Sequence, residues 1–253
     1  MEKLVLITGG AGGFGSVLAR ALVEKGGYMV ALADIDLERV KRTAESIGGD
    51  VSYYKLDASD EASVKELFSG LGTKSLDAMI CAHGITTGRT SIQDVPLEEW
   101  NQVISANLTG VFLLMKHCIP IMIRQSSGCI INLTTGNPAR KNSSTYVASK
   151  IGVEGLTAAA SEDLKDSSIV AYTVSPGGYT ATPFHDNSYS LFHYKNYVSA
   201  SQMQRERRGL KPEVIVPLCI YLIEKRPMDQ TGKKLTALEW NKQNGLGQDN
   251  WYV

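Results

Sequence analysis

The chain has 253 residues, 26 of them Lys or Arg and 26 Asp or Glu. With no formal net charge it offers no broad attraction to nucleic acid or an anionic membrane surface, so neither is expected as a partner. The start, Met1-Glu2-Lys3 and a short apolar run to Ile7, is too brief for a signal-peptide core or a membrane span, and a cytoplasmic location is expected.

Short β-branched or apolar runs at residues 4–8, 28–34, 51–56, 78–81, 129–133 and 169–174 read as strands, and a last one at 233–237 follows. Amphipathic stretches such as 16–25, 97–125 and 146–164 separate them. A helix between successive strands makes the strands parallel and the crossovers right-handed. The expected fold class is α/β, a single-domain, Rossmann-like, doubly wound parallel sheet flanked by helices over residues 1–253.

Cys81, Cys118, Cys129 and Cys219 show no CxxC spacing and sit in apolar contexts, which predicts buried free thiols. His83, His117, His185 and His193 form no HExxH-like group, and no metal site is expected.

Thr8-Gly-Gly-Ala-Gly-Gly-Phe-Gly15 follows the first strand and opens a helix. Glycines in that context permit a tight turn, let the backbone approach a pyrophosphate, and aim the N–H groups of a helix N-terminus at its charge. Asp34 ends the second strand about 20 residues further on, where an acid accepts hydrogen bonds from both ribose hydroxyls of NAD and repels the 2′-phosphate of NADP. No Arg or Lys lies in the glycine turn or directly after Asp34, so the expected cofactor is NAD. The plain alternative makes Asp34 the cap of the next helix. Asp57, closing the third strand, reads either as a partner of the adenine amine or as a helix cap.

Tyr146 and Lys150, in Tyr-Val-Ala-Ser-Lys, share one helical face at i, i+4. Bringing a phenol from about 10 to about 7 takes roughly 4 kcal/mol, which a neighbouring ammonium, a cationic ring and restricted solvent together supply.

The glycine turn, Asp34, Asp57, Asn107-Leu-Thr-Gly, Ile-Asn132-Leu-Thr-Thr135, Tyr146-Val-Ala-Ser-Lys150 and Pro176-Gly177 together resemble the short-chain dehydrogenase/reductase family in order and spacing, from about residue 4 to 237. The resemblance implies an NAD-dependent oxidoreductase interconverting a secondary alcohol and a ketone. Tyr146 would be its acid/base, Lys150 would bind the nicotinamide ribose, Asn107 would hold a water, and Thr135 would orient the substrate oxygen. Thr134 and Asn137 remain alternatives for that hydroxyl or amide role. It further implies cofactor contacts from Gly9, Gly13, Phe14, Gly15, Asp34, Asp57, Ala58, Cys81, Ala82, Gly84, Tyr146, Lys150, Pro176, Gly177 and Thr182, and a homo-dimer or homo-tetramer built through the helices at 97–125 and 146–164.

Three departures stand out. The orienting hydroxyl is a threonine closer to Tyr146 than usual, Asn-Asn-Ala-Gly is replaced by Cys81-Ala-His-Gly84, and a tail at 238–253 with Trp240 and Trp251 replaces a short glycine finish. His83 is placed either against ribose or substrate or in an exposed loop. The polar, aromatic stretch at 183–209 reads as a substrate lid, suited to a small hydroxylated molecule such as a sugar, polyol or hydroxy acid. The competing reading is a dinucleotide-binding sensor or scaffold that keeps the fold without turnover.

Overall fold

β1 (Lys3–Thr8) alternates its side chains between two covered faces: Val5 and Ile7 enter one core, Leu6 the other. It pairs in parallel with β2 (Tyr28–Asp34) on one side and β4 (Ala78–Cys81) on the other. β3 (Val51–Lys55), β5 (Gly128–Leu133), β6 (Ile169–Ser175) and β7 (Lys234–Thr236) complete a seven-stranded sheet in the order β3-β2-β1-β4-β5-β6-β7. Every pairing is parallel. This computed structural model describes residues 2–72, 75–86, 90–136, 141–180, 182, 209–247 and 251–252. The proposed lid at 183–209 falls outside them except for Gly209.

Helices cover both faces. α1 (Gly13–Lys25) and α7 (Val216–Lys225) bury Leu18, Leu22, Leu218 and Leu222 with Tyr172 of the sheet. α3 (Glu61–Leu71), α5 (Gly110–Arg124) and α6 (Ser144–Asp163) bury Val64, Leu114 and Val153 against Leu6 and Met79. α2 (Leu37–Ile47) packs Val40 and Ala44 beside β2. The 28-residue run Leu97–Arg124 is long and apolar enough to cross a membrane, yet half of its most apolar window is buried in the fold, as expected of a core helix.

The run from 97 is not one regular helix. α4 (Leu97–Ile104) passes through a π-helical turn, Ser105–Thr109, before α5. A π turn adds a residue without breaking the helix, so apolar periodicity does not reveal it. α1 begins at Gly13, three residues before the predicted start, because glycines carry no helix signal. A short α8 (Ala237–Gln243) follows β7, turning the predicted tail into a helix whose Trp240 ring lies 5.1 Å from that of Tyr221. All four cysteines are buried free thiols.

The strand order reverses between β1 and β4, and the carboxyl ends of those parallel strands lie side by side there, Thr8 opposite Cys81. Ligands of open α/β sheets bind in the crevice at such a switch point.

Candidate active site

A cavity of about 500 Å³ occupies that crevice. Gly9, Gly12, Gly13 and Phe14 form its floor. Gly9 has φ +68° and a Cβ there would come within 2.7 Å of the His83 backbone, so only glycine fits. Gly12 caps α1 without any side-chain bond to the first N–H groups, which leaves these donors for an anionic ligand. A Cβ on Gly13 would come within 2.6 Å of Thr182, so the turn also presses against the segment after β6. Gly15 does not line the cavity; its missing Cβ makes room for the Gly9 carbonyl.

Asp34 lies half-buried in the wall and accepts from the N–H of Ala11 at 3.0 Å and of Asp36 at 3.2 Å. It does not cap α2. Asp36 does, accepting from the Arg39 N–H at 3.0 Å. Likewise Asp60 caps α3, while Asp57 accepts from the N–H and hydroxyl of Ser59 and stays in the wall beside Ala58. Both capping alternatives are thereby displaced. Arg39, in the first turn of α2, also lines this end; it is not adjacent to Asp34 in the sequence and was missed there.

At the other end Tyr146 and Lys150 of α6 face the cavity together with Leu133, Thr134, Thr135 and Gly136 from the end of β5. Lys150 is 5% exposed, and its Nζ donates to the carbonyls of Leu133 at 3.1 Å and His83 at 3.5 Å. Burial pushes its pKa down to about 8. The two threonines divide. The Thr134 hydroxyl is buried, donating to Glu154 Oε1 at 2.6 Å and lying 3.2 Å from the Lys150 carbonyl, whereas Thr135 is half-buried in the wall. Asn137 lies outside the described residues.

Asn107 sits in the π turn, fully buried and not in the cavity lining. Its Nδ2 donates to the Ile85 carbonyl at 2.8 Å and to Ser149 Oγ at 3.0 Å, and its Oδ1 accepts from the Ile85 N–H at 2.8 Å. Both amide hydrogens are used, so the side chain braces the turn after β4 against α6. Ser149 passes the contact on, donating to the Tyr146 carbonyl at 2.8 Å.

Of the Cys81-Ala-His-Gly turn, Ala82, His83 and Gly84 line the cavity and Cys81 does not. Cys81 points into the core, where burial pushes its thiol up to about 12. The His83 imidazole is half-buried and does not stand in an exposed loop. Its Nδ1 shares a hydrogen bond with the Thr8 hydroxyl across 2.6 Å, and its Nε2 is buried. Burial and the Lys150 charge depress its pKa to about 3, so it is neutral. Pro176 and Thr182 line the cavity, joined by Gly178, Tyr179 and Thr180, which the sequence reading did not name. Gly177 does not; at φ +95° it packs on Thr236 and Leu238.

A doubly wound sheet, a glycine-floored crevice at its switch point and a Tyr–Lys pair beside it define the architecture of a dinucleotide-binding protein. Residues 3–190 match the model of the short chain dehydrogenase family, and the chain belongs to the short-chain dehydrogenase/reductase family. Its members are oxidoreductases whose fold binds a nicotinamide dinucleotide. The chain is 29% identical over 228 residues to the 2-dehydro-3-deoxy-L-rhamnonate dehydrogenase (NAD(+)) of a Sphingomonas species, covering 88% of each chain. It is 37% identical over 191 residues to the 3-oxoacyl-(acyl-carrier-protein) reductase of Staphylococcus epidermidis, covering 70% of this chain and 75% of the relative. NAD+-bound xylitol dehydrogenase superposes with a TM-score of 0.80 at 25% identity, over 92% of this chain and 96% of that one.

Proposed function

We propose that the protein is an NAD-dependent oxidoreductase, one catalytic domain over residues 1–253, that interconverts a secondary alcohol and a ketone. The observation that carries this is the convergence of Tyr146, Lys150 and Thr135 on the same cavity as the glycine turn and Asp34. The open N–H groups at the start of α1 fit a pyrophosphate, and Asp34 keeps lone pairs for ribose hydroxyls. When bound, the nicotinamide dinucleotide supplies the hydride acceptor or donor. In the oxidative direction the Tyr146 phenolate takes the proton of the substrate hydroxyl; in reduction the phenol returns it. The buried Lys150 ammonium stabilises that phenolate and donates to the cofactor's ribose. Thr135 donates to the substrate oxygen as it gains negative charge.

The substrate in this reading is small and hydroxylated, such as a sugar, polyol or hydroxy acid. The hydroxyl-bearing residues Thr135, Tyr179 and Thr180 in the wall support it, as does the likeness to the 2-dehydro-3-deoxy-L-rhamnonate and xylitol dehydrogenases. Phe112 and Ile151, 46% and 38% exposed on α5 and α6, support a homo-dimer or homo-tetramer through those helices, and four unpaired thiols suit the cytoplasm. The test is NADH formation over a panel of sugars, polyols, hydroxy acids and hydrophobic alcohols. Turnover confined to the hydrophobic alcohols overturns the substrate class. Tight NAD binding with no turnover anywhere replaces the enzyme with a dinucleotide sensor.

A further inference from the structure

Tyr179 and Thr180 line the cavity, yet β6 ends at Ser175 and the main sheet does not hold them. A second, small set of main-chain pairings does. The Leu210 N–H donates to the Tyr179 carbonyl at 2.8 Å, and Thr180 and Leu210 form a parallel bridge. On its other side Leu210 forms an antiparallel bridge with Tyr252, next to which the Lys211 N–H donates to the Trp251 carbonyl at 2.7 Å. Leu210 is thus the middle strand of a three-segment patch whose outer members are the cavity wall and the Trp251–Tyr252 segment.

Side chains fix the same arrangement. Leu210 is 2% exposed within the core, and a Cβ on Gly178, itself a wall residue, would stand 3.0 Å from its Cδ1. Trp251 and Tyr252 pack half-buried on that core. Trp251 Nε1 donates to the Leu246 carbonyl at 3.4 Å, and the Leu246 N–H donates to the Asn241 carbonyl at 2.9 Å. The buried Asn241 donates in turn to the Val214 carbonyl at 2.8 Å. Beyond Thr180 the wall reaches Thr182, which lies against Gly13 of the phosphate-binding turn.

We propose that the Trp251–Tyr252 segment is a positioning strap: by completing the pairing of Leu210 it holds the wall residues Gly178, Tyr179, Thr180 and Thr182 against the glycine turn, and so sets the affinity of the crevice for a nicotinamide dinucleotide. The proposal rests on the reading of the cavity as a dinucleotide site. Without the strap Leu210 keeps a neighbour on one side only, and pairings of that size do not persist on their own in water. A wall that stands correctly in only a fraction of molecules raises the apparent Kd by the inverse of that fraction.

Two variants attack the strap from opposite sides. One chain ends at Gly247. The other is Lys211→Pro, whose backbone already has φ −66° and ψ 143° and precedes Pro212, so proline fits while the N–H bonded to Trp251 is removed. NADH binding is measured by calorimetry on the wild type, each variant and the combination. The expected result is an NADH Kd raised about five-fold or more in each variant, with unchanged stoichiometry and no further rise in the combination, since both break one interaction. A Kd within about two-fold of wild type in both variants, or a fall in stoichiometry alone, overturns the strap, because loss of folded protein lowers stoichiometry and not affinity. If the wild type itself binds no NADH, the functional reading fails and the strap with it.

Discussion

The Thr134 hydroxyl donates to the Glu154 carboxylate across 2.6 Å, and Lys234 Nζ holds the same carboxylate oxygen at 2.8 Å. Three elements, β5, α6 and β7, are joined at this point, and the hydroxyl nearest the Tyr–Lys helix is committed to structure. Thr135, half-buried in the cavity wall, is the residue proposed to orient the substrate oxygen. Thr135→Ser is expected to keep most activity, because donor and acceptor capacity are unchanged. Thr135→Val is expected to lower kcat about 100-fold or more through loss of one transition-state donor. Thr134→Val should leave kcat near wild type while costing about 1–2 kcal/mol in denaturant unfolding. A reversed pattern assigns the hydroxyl to Thr134.

Replacing Tyr146 by Phe removes only the phenol, so turnover should vanish while NADH still binds; residual kcat near wild type assigns the proton to another group. Lys150→Ala should weaken both.

The depressed Lys150 pKa of about 8 has a sign that can be measured. Below it Lys150 is charged and donates fully to a ribose; above it the native protein loses the proton before the unfolded chain does. Cofactor affinity is therefore expected to fall as pH rises through about 8. Stability from this residue changes in the opposite direction, increasing between about 8 and the ordinary lysine value of 10.5, where the unfolded state binds more protons. Calorimetric titrations and denaturant melts across that range, compared with Lys150→Met, check both; a flat wild-type affinity profile contradicts the first.

Asp34, Asp36 and Arg39 line the end of the crevice that the proposed function assigns to adenosine. NAD is expected to bind more tightly than NADP, and Asp34→Ala to narrow the gap by weakening NAD and relieving repulsion of the 2′-phosphate. Equal affinities in the wild type would mean that Arg39 offsets the carboxylates.

Glu61 joins α3 to α5 through Lys116 at 2.8 Å and His117 at 2.9 Å, contacts that hold its carboxyl down at about 2. A depressed carboxylate contributes stability above its unfolded pKa and loses it as pH falls through the folded one. The Tm difference between wild type and Glu61→Gln should be steady near neutrality and shrink from about 4.5 toward 2. A difference independent of pH rules out this contribution.

Strand positions and order of elements were legible in the sequence because buried parallel strands are continuous apolar runs with helices between them. The glycine turn and the Tyr–Lys spacing were legible for a similar reason, since each is a local pattern. What escaped was set by tertiary contact. Asp34 and Asp36, or Asp57 and Asp60, are equally plausible caps on paper, and only the fold shows that the second of each pair takes the helix. Cys81 and Ala82 are neighbours, yet strand alternation sends one to the core and the other to the cavity. Arg39 reaches the adenosine end from the first turn of a helix, a position adjacency in sequence does not flag. His83 sits in a loop, where exposure is the default expectation, and no sequence signal announces the space left for its ring by Gly110.

That imidazole has a consequence for recognition. By bonding Thr8 at the end of β1 from the turn after β4, His83 pins together the two lips of the crevice before any ligand arrives. A site whose lips are already in register loses little conformational entropy on association, so more of each contact appears as affinity. Breaking the Thr8–His83 bond would then leave the enthalpy of dinucleotide binding largely intact and make its entropy less favourable, the signature of a crevice that has to be ordered each time it is filled.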